Sequence, residues 1–194
     1  MIKPISFGKT LVATCSVKTD NDNSLPCKIY ELNNVEDKDY FSNLKSDTHW
    51  SGNRFVWVME RLMNSRSIGN NNDTFSIENE IGDCLGYINV ITHEKPHNRK
   101  SIQYLETSPQ LKSEKDVKTS ELVAKSLVSF IVQQAQKENR DKVSVIAFDA
   151  HTRKFYGKKC GFKNGTESCY DYVLVSKTYP KFIEKSSKEI ELIV

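Results

Sequence analysis

The chain has 194 residues, of which 38% are hydrophobic and 27% charged, with a formal net charge of +3. A chain of that length fits one domain with a modest extension and buries roughly 70% of its unfolded surface, so it needs neither disulfide nor metal to fold. No apolar run approaches the ~20 residues that span a bilayer, so the expectation is a cytoplasmic protein without a membrane partner.

Lys and Arg are interspersed with Asp and Glu, so the sequence gives no basic stripe and no indication of a nucleic-acid partner. Cys15, Cys27, Cys84, Cys160 and Cys169 form an odd, widely spaced set, which predicts free thiols in a reducing compartment. His93 and His97 flank Lys95-Pro96 and therefore belong to a turn, and no metal is expected there.

In chain order, residues 5–19 are rich in β-branched side chains and read as a strand. A turn cluster at 20–24 leads to a second strand at 27–32, and the two can form a hairpin. Residues 35–47 are weakly helical. Residues 50–66 make a better helix, with Phe55, Val58, Met59, Leu62 and Met63 at three- and four-residue spacing. Strands at 74–77, 84–92 and 101–107 follow with short turns between them, the signature of an antiparallel meander.

After a polar loop, one apolar stripe (Leu122, Val123, Leu127, Val128, Phe130, Ile131, Ala135) predicts a long helix capped by Thr119 or Ser120. Residues 142–148 read as a strand reached by a β-α-β crossover. A second helix over 151–159 ends at Cys160-Gly161, with Gly in the left-handed capping place. A strand at 171–176 comes last, and the charged tail is unassigned. The expected organisation is an N-terminal strand over 1–26, a main domain over 27–180 and a tail over 181–194.

The stretch Asp149-Ala150-His151-Thr152-Arg153-Lys154-Phe155-Tyr156-Gly157-Lys158-Lys159-Cys160-Gly161-Phe162 resembles the Asn-x-x-Ala-x-x-Phe-Tyr-x-Lys-x-Gly-Phe pattern of the GNAT superfamily of N-acetyltransferases. Asp149 stands for the Asn and Thr152 for the Ala. One more residue separates Tyr156 from Gly161-Phe162 than in that pattern. Leu85-Gly86-Tyr87-Ile88-Asn89-Val90 and Tyr104-Leu105-Glu106-Thr107-Ser108-Pro109 resemble the family's two preceding strands. The likeness covers roughly residues 27–176.

The resemblance implies a mixed α+β (α/β) GNAT-like fold, with a central, mostly antiparallel sheet splayed at one strand pair and helices on both faces. It implies transfer of an acyl group, most commonly acetyl from acetyl-CoA, to an amine of a protein or small molecule by direct attack in a ternary complex. Oligomeric state is left open.

It also implies roles for particular residues. Tyr156 would be the general acid for the leaving thiolate, with packing against Phe155 as the alternative. Glu106 would be the general base, although strand alternation sends it to the face opposite Leu105 and Thr107, where a solvated carboxylate is the other reading. The backbone of Leu105, Thr107 and Ser108 would meet the thioester and pantetheine, flanked by Asp149 and Phe155. A pyrophosphate needs convergent N–H groups at a helix start, which the family builds with Gln/Arg-x-x-Gly-x-Gly/Ala. Here the equivalent is Thr119-Ser120-Glu121-Leu122-Val123-Ala124, beside Lys118, and only the last small residue is kept. Glu121 is an adverse charge there. Trp50 and Trp57 would lie on the acceptor wall, and Cys160 reads as a buried thiol. The altered turn supports a second reading, a GNAT-fold binding or regulatory module without catalysis.

Overall fold

The computed structural model describes residues 9–18, 23–32, 71–112, 117–186 and 190–193. The helices expected at 35–47 and 50–66, with Trp50 and Trp57, lie outside the described residues. Strands β1 (Lys9–Lys18) and β2 (Ser24–Leu32) form the expected hairpin. The meander is β3 (Asn72–Asn79), β4 (Cys84–His93) and β5 (Arg99–Thr107). Helix α1 (Val117–Lys137) then crosses to β6 (Lys142–Ile146). Helix α2 (Ala150–Lys154) runs into a π-helical turn, Phe155–Lys159. The chain continues through β7 (Lys163–Asn164), β8 (Asp171–Val175), helix α3 (Tyr179–Ser186) and β9 (Ile190–Leu192).

The nine strands among the described residues form one sheet, in the order β7-β8-β6-β5-β4-β3-β2-β1-β9. Every described neighbour pair is antiparallel except β5–β6, which is parallel because α1 carries the chain back across one face. The fold is thus mixed α+β. The tail left unassigned by the sequence supplies α3 and an edge strand, β9, which pairs antiparallel with β1 from Ala13↔Leu192 to Cys15↔Ile190. Its short strand follows a charged run, so no periodic pattern announced it.

The apolar stripe of α1 is buried as its spacing requires. Val123, Leu127, Phe130 and Ile131 are fully enclosed, and Phe130 meets Phe75 of β3 edge-on with centroids 4.9 Å apart. Val128, Ser129 and Val132 are enclosed as well, and α3 packs on α1. Each large side chain so buried contributes roughly 1.5–3 kcal/mol relative to exposure.

Gly86 lies where Val123 of α1 packs tightly on the sheet. A Cβ there would lie 2.8 Å from the backbone oxygen of Glu106 and 3.2 Å from Cγ1 of Val123. The carbonyl belongs to the β4–β5 ladder and cannot retreat. Gly86→Ala is therefore expected to lower stability by about 1–3 kcal/mol, read as a lower denaturant midpoint at unchanged m-value.

The sheet opens between β5 and β6. Their pairing runs from Arg99↔Lys142 to Ile102↔Val145 and stops, while β5 stays on β4 as far as Gly86↔Thr107. The register of β5 on β4 slips at this point: Asn89 pairs with Tyr104 and Val90 with Ile102, leaving Gln103 as the extra residue. Such a bulge bends its strand, and residues 103–107 bend away from β6. The splay expected from the family resemblance is this gap.

Candidate active site

Beyond the gap, the direction of each β5 backbone group follows from one bond. The N–H of Ser108 donates to the Leu85 carbonyl at 2.8 Å, across to β4. Alternation in an antiparallel ladder then turns the N–H groups of Glu106 and Tyr104 the same way, and those of Leu105 and Thr107 toward the gap. Of the three backbone donors named from the sequence, two face the opening. Ser108 does not: its N–H is engaged, and the residue is only 2% exposed.

The first turn of α1 closes one end of the gap. Oγ1 of Thr107 and Oγ of Ser120 lie 2.6 Å apart and tie the end of β5 to the helix start. The helix begins at Val117, ahead of the expected Thr119 or Ser120 cap, and Thr119 is buried inside the first turn. Within the helix its unbonded N–H groups are consequently those of Val117, Lys118 and Thr119. Glu121, Leu122, Val123 and Ala124 lie one turn in, where N–H groups bond within the helix. Of the expected turn 119–124, only Thr119 therefore presents an N–H outside the helix's own bonding.

The adverse charge also proves to be placed otherwise. No acidic residue occupies the first turn, and Glu121 is ion-paired with Lys159 of the π-helical turn. That pair sets the π-helical turn beside α1, on the same face of the sheet.

The π-helical turn explains the extra residue in the motif. Cys160 N–H donates to the Phe155 carbonyl at 3.0 Å, five residues back, and Gly161 follows at φ +70°. One residue is accommodated as a wide turn instead of rotating everything after it by a helical step. Tyr156 and Phe162 therefore both point into the core, at 4% and 2% exposure. The Tyr156 ring meets Phe155 and Phe162 edge-on, with centroids 5.1 and 5.6 Å away. Burial pushes its phenol well above the ordinary tyrosine pKa. Burial likewise pushes the Cys160 thiol up to about 12, so it is an inert neutral group.

Asp149 has a defined local task. Its Oδ1 accepts from the Thr152 N–H at 2.8 Å, capping α2, and that bond holds the carboxylate below its usual pKa. Phe155 is half-buried beside Tyr156.

The face of the sheet opposite α1 differs from the expected solvated surface. Glu106 is half-buried there and accepts from the Tyr104 hydroxyl at 2.6 Å. Tyr104 stacks on Tyr87 with centroids 5.7 Å apart, and Tyr87 is 1% exposed. Burial, then Tyr104 and Glu106, raise the Tyr87 phenol. Asn72, Thr74, Ser76 and Glu78 of β3 are buried on the same face, where Nδ2 of Asn89 lies 2.6 Å from Asn72 Oδ1 and 3.0 Å from Thr74 Oγ1. Sequence reading passed over these residues, although their strict alternation with Phe75 and Ile77 marks a second, polar face.

Among the described residues no group of three or more His, Cys, Asp or Glu could hold a metal. No described helix is long and apolar enough to cross a membrane.

No protein-family model and no curated protein matches the chain by sequence. Solved structures match it by fold. AtaTR bound with AcCoA superposes with a TM-score of 0.53 at 13% identity, over 69% of this chain and 85% of its own. The spermidine N-acetyltransferase from Vibrio cholerae, in complex with CoA and spermine, gives 0.52 at 15% identity, over 79% and 98%. A proposed acetyltransferase from Exiguobacterium sp. 255-15 gives 0.57 at 14% identity, over 80% and 97%. At such identities the likeness is one of fold, and the fold is GNAT-like.

Proposed function

We propose that the chain is an acyl-CoA-dependent N-acyltransferase, transferring acetyl in the first instance to an amine. The observation that carries this reading is the pairing of an open β5 edge, with the Leu105 and Thr107 N–H groups facing the gap, with a carboxylate-free first turn of α1 at the gap's end. A thioester carbonyl in the gap would find backbone donors for its developing oxyanion. A pyrophosphate at the helix start would find the N–H groups of Val117, Lys118 and Thr119, with the Lys118 side chain beside them. The free cysteines accord with a cytoplasmic setting.

In this mechanism the amine attacks the thioester carbon from the side of Glu106, which takes the amine proton directly or through water. The C–S bond then breaks, and its electrons leave on the coenzyme thiolate. Tyr156, on the α1 side, donates a hydrogen bond from its hydroxyl to that sulfur. Because burial raises its phenol pKa, Tyr156 stays protonated throughout the working range. It acts chiefly as a hydrogen-bond donor, since full transfer to a less basic thiolate is uphill. Asp149 would act by capping the helix that carries Tyr156, and Phe155 by lining the arm of the cofactor.

Acetyl-CoA at ~100 times its dissociation constant should stabilise the chain by roughly 2.7 kcal/mol, measured by thermal unfolding. An unchanged midpoint overturns the assignment. Given binding, Tyr156→Phe should reduce turnover and leave the acetyl-CoA affinity nearly intact.

The second reading, a binding module without catalysis, draws on the glycine-free segment 119–124 and on the enclosure of Tyr156. Stabilisation by acetyl-CoA without turnover on any amine tried, small or macromolecular, favours it.

A further inference from the structure

Away from the splayed gap, the outer side of α2 and its π-helical turn faces an open groove of about 740 Å³ against β7 and β8. Its walls carry Arg153, Lys154 and Lys158 on one helical face and Lys163 on the edge strand, around the Tyr172 ring, and no carboxylate lines it. None of the four cations is held in an ion pair among the described residues.

The acids nearby are otherwise engaged. Asp149 caps α2, Glu167 is bonded to Arg99 and Lys142, and Asp171 is buried. The balanced charge of the whole chain therefore conceals a local excess of positive charge, which only the fold assembles.

Aromatic rings continue the same surface. Phe148 is 71% and Tyr170 40% exposed, and their rings lie 5.8 Å apart. Arg153 stands over the Tyr170 ring at 5.9 Å and so belongs to both the groove and the aromatic pair. Large rings held in water beside unpaired cations suit a ligand that presents flat faces and negative charge alternately. Bases stacking on aromatic side chains, with phosphates on Lys and Arg, have that pattern. An acidic peptide would use the cations and leave Phe148 and Tyr170 idle.

We propose that the surface formed by Phe148, Tyr170, Arg153, Lys154, Lys158 and Lys163 binds single-stranded nucleic acid. The inference does not depend on acyl transfer, and its test contains no acyl-CoA. Anisotropy of a labelled 15-nucleotide oligouridylate RNA, and of oligothymidylate DNA of equal length, is measured against the full chain over a range of salt. Binding of both places recognition on phosphate and base. Binding of the RNA alone adds the 2′-hydroxyl.

The affinity should fall with salt with a log–log slope near about −3, since each neutralised phosphate contributes about −0.7 on a single strand. Lys158→Ala should reduce that slope by about 0.7. Phe148→Ala and Tyr170→Ala should each weaken binding about tenfold without changing the salt slope. Both rings are exposed, so neither change threatens the fold. Lys137→Ala, at the far end of α1, should change nothing. Failure to bind either oligonucleotide overturns the proposal. So does oligoglutamate competing as well as RNA while the aromatic variants bind normally, which would indicate an acidic protein partner instead.

Discussion

Replacing Glu106 with Gln is expected to lower kcat/KM for the amine by about 10²–10⁴-fold, the range for loss of a positioned general base, while acetyl-CoA binding is retained. Gln preserves the volume and one oxygen, so the Tyr104 hydroxyl, which donates to Oε2 at 2.6 Å, keeps an acceptor. The stack of Tyr104 on Tyr87 should also survive, because it involves ring faces inclined by only 10°. What is lost is the ability to take a proton. Tyr104→Phe separates orientation from basicity: it frees the carboxylate from its anchor without removing it, so a smaller loss of turnover is expected. Measured kinetics settle the matter. If Glu106→Gln turns over the amine at the parental rate, the base lies elsewhere, and the polar face is a structural network.

How far the sequence could take these conclusions depends on the range of the forces involved. The meander, α1 and β6 were legible because their patterns are local: Leu122 to Ala135 repeats at the helical period, and β4 and β5 are bounded by turn residues. Gly161 was legible for the same reason, since a left-handed position after a helix calls for Gly. The extra residue in 155–162 could be counted from the sequence, but its accommodation in a π-helical turn could not. That outcome depends on Tyr156 and Phe162 both finding aromatic partners in the core, and Phe182, which meets Phe162 at 6.5 Å, comes from a tail the sequence left unassigned.

Charge pairings were the least legible. Glu121 and Lys159 are 38 residues apart in the chain, and only their meeting turns an adverse carboxylate into a neutral bridge. The polar face of β3 went unread for a related reason. Alternation of Thr74, Phe75, Ser76 and Ile77 correctly separates two faces, yet it carries no information on whether the polar one is covered. Glu78 is 2% exposed and ion-paired with Lys9 at 2.6 Å, a partner 69 residues away.

The splayed gap admits a sharper test, because proline can remove one backbone donor at a time. Leu105→Pro deletes an N–H that faces the gap and makes no bond to β4, a placement where a strand tolerates proline. The preceding Tyr104 is already extended, as proline requires of its neighbour. The fold should therefore persist, with a loss confined to part of the Leu105 packing. Turnover should fall by about 10²–10³-fold if that N–H stabilises the oxyanion. Glu106→Pro, one residue on, deletes a ladder donor instead and with it the Glu106 carboxylate, so it serves only as the folding control and should unfold at a clearly lower temperature. Thermal unfolding of the pair, with turnover of Leu105→Pro, therefore separates chemistry from folding. A Leu105→Pro chain that is folded, binds acetyl-CoA and acetylates at the parental rate would remove the β5 edge from the mechanism.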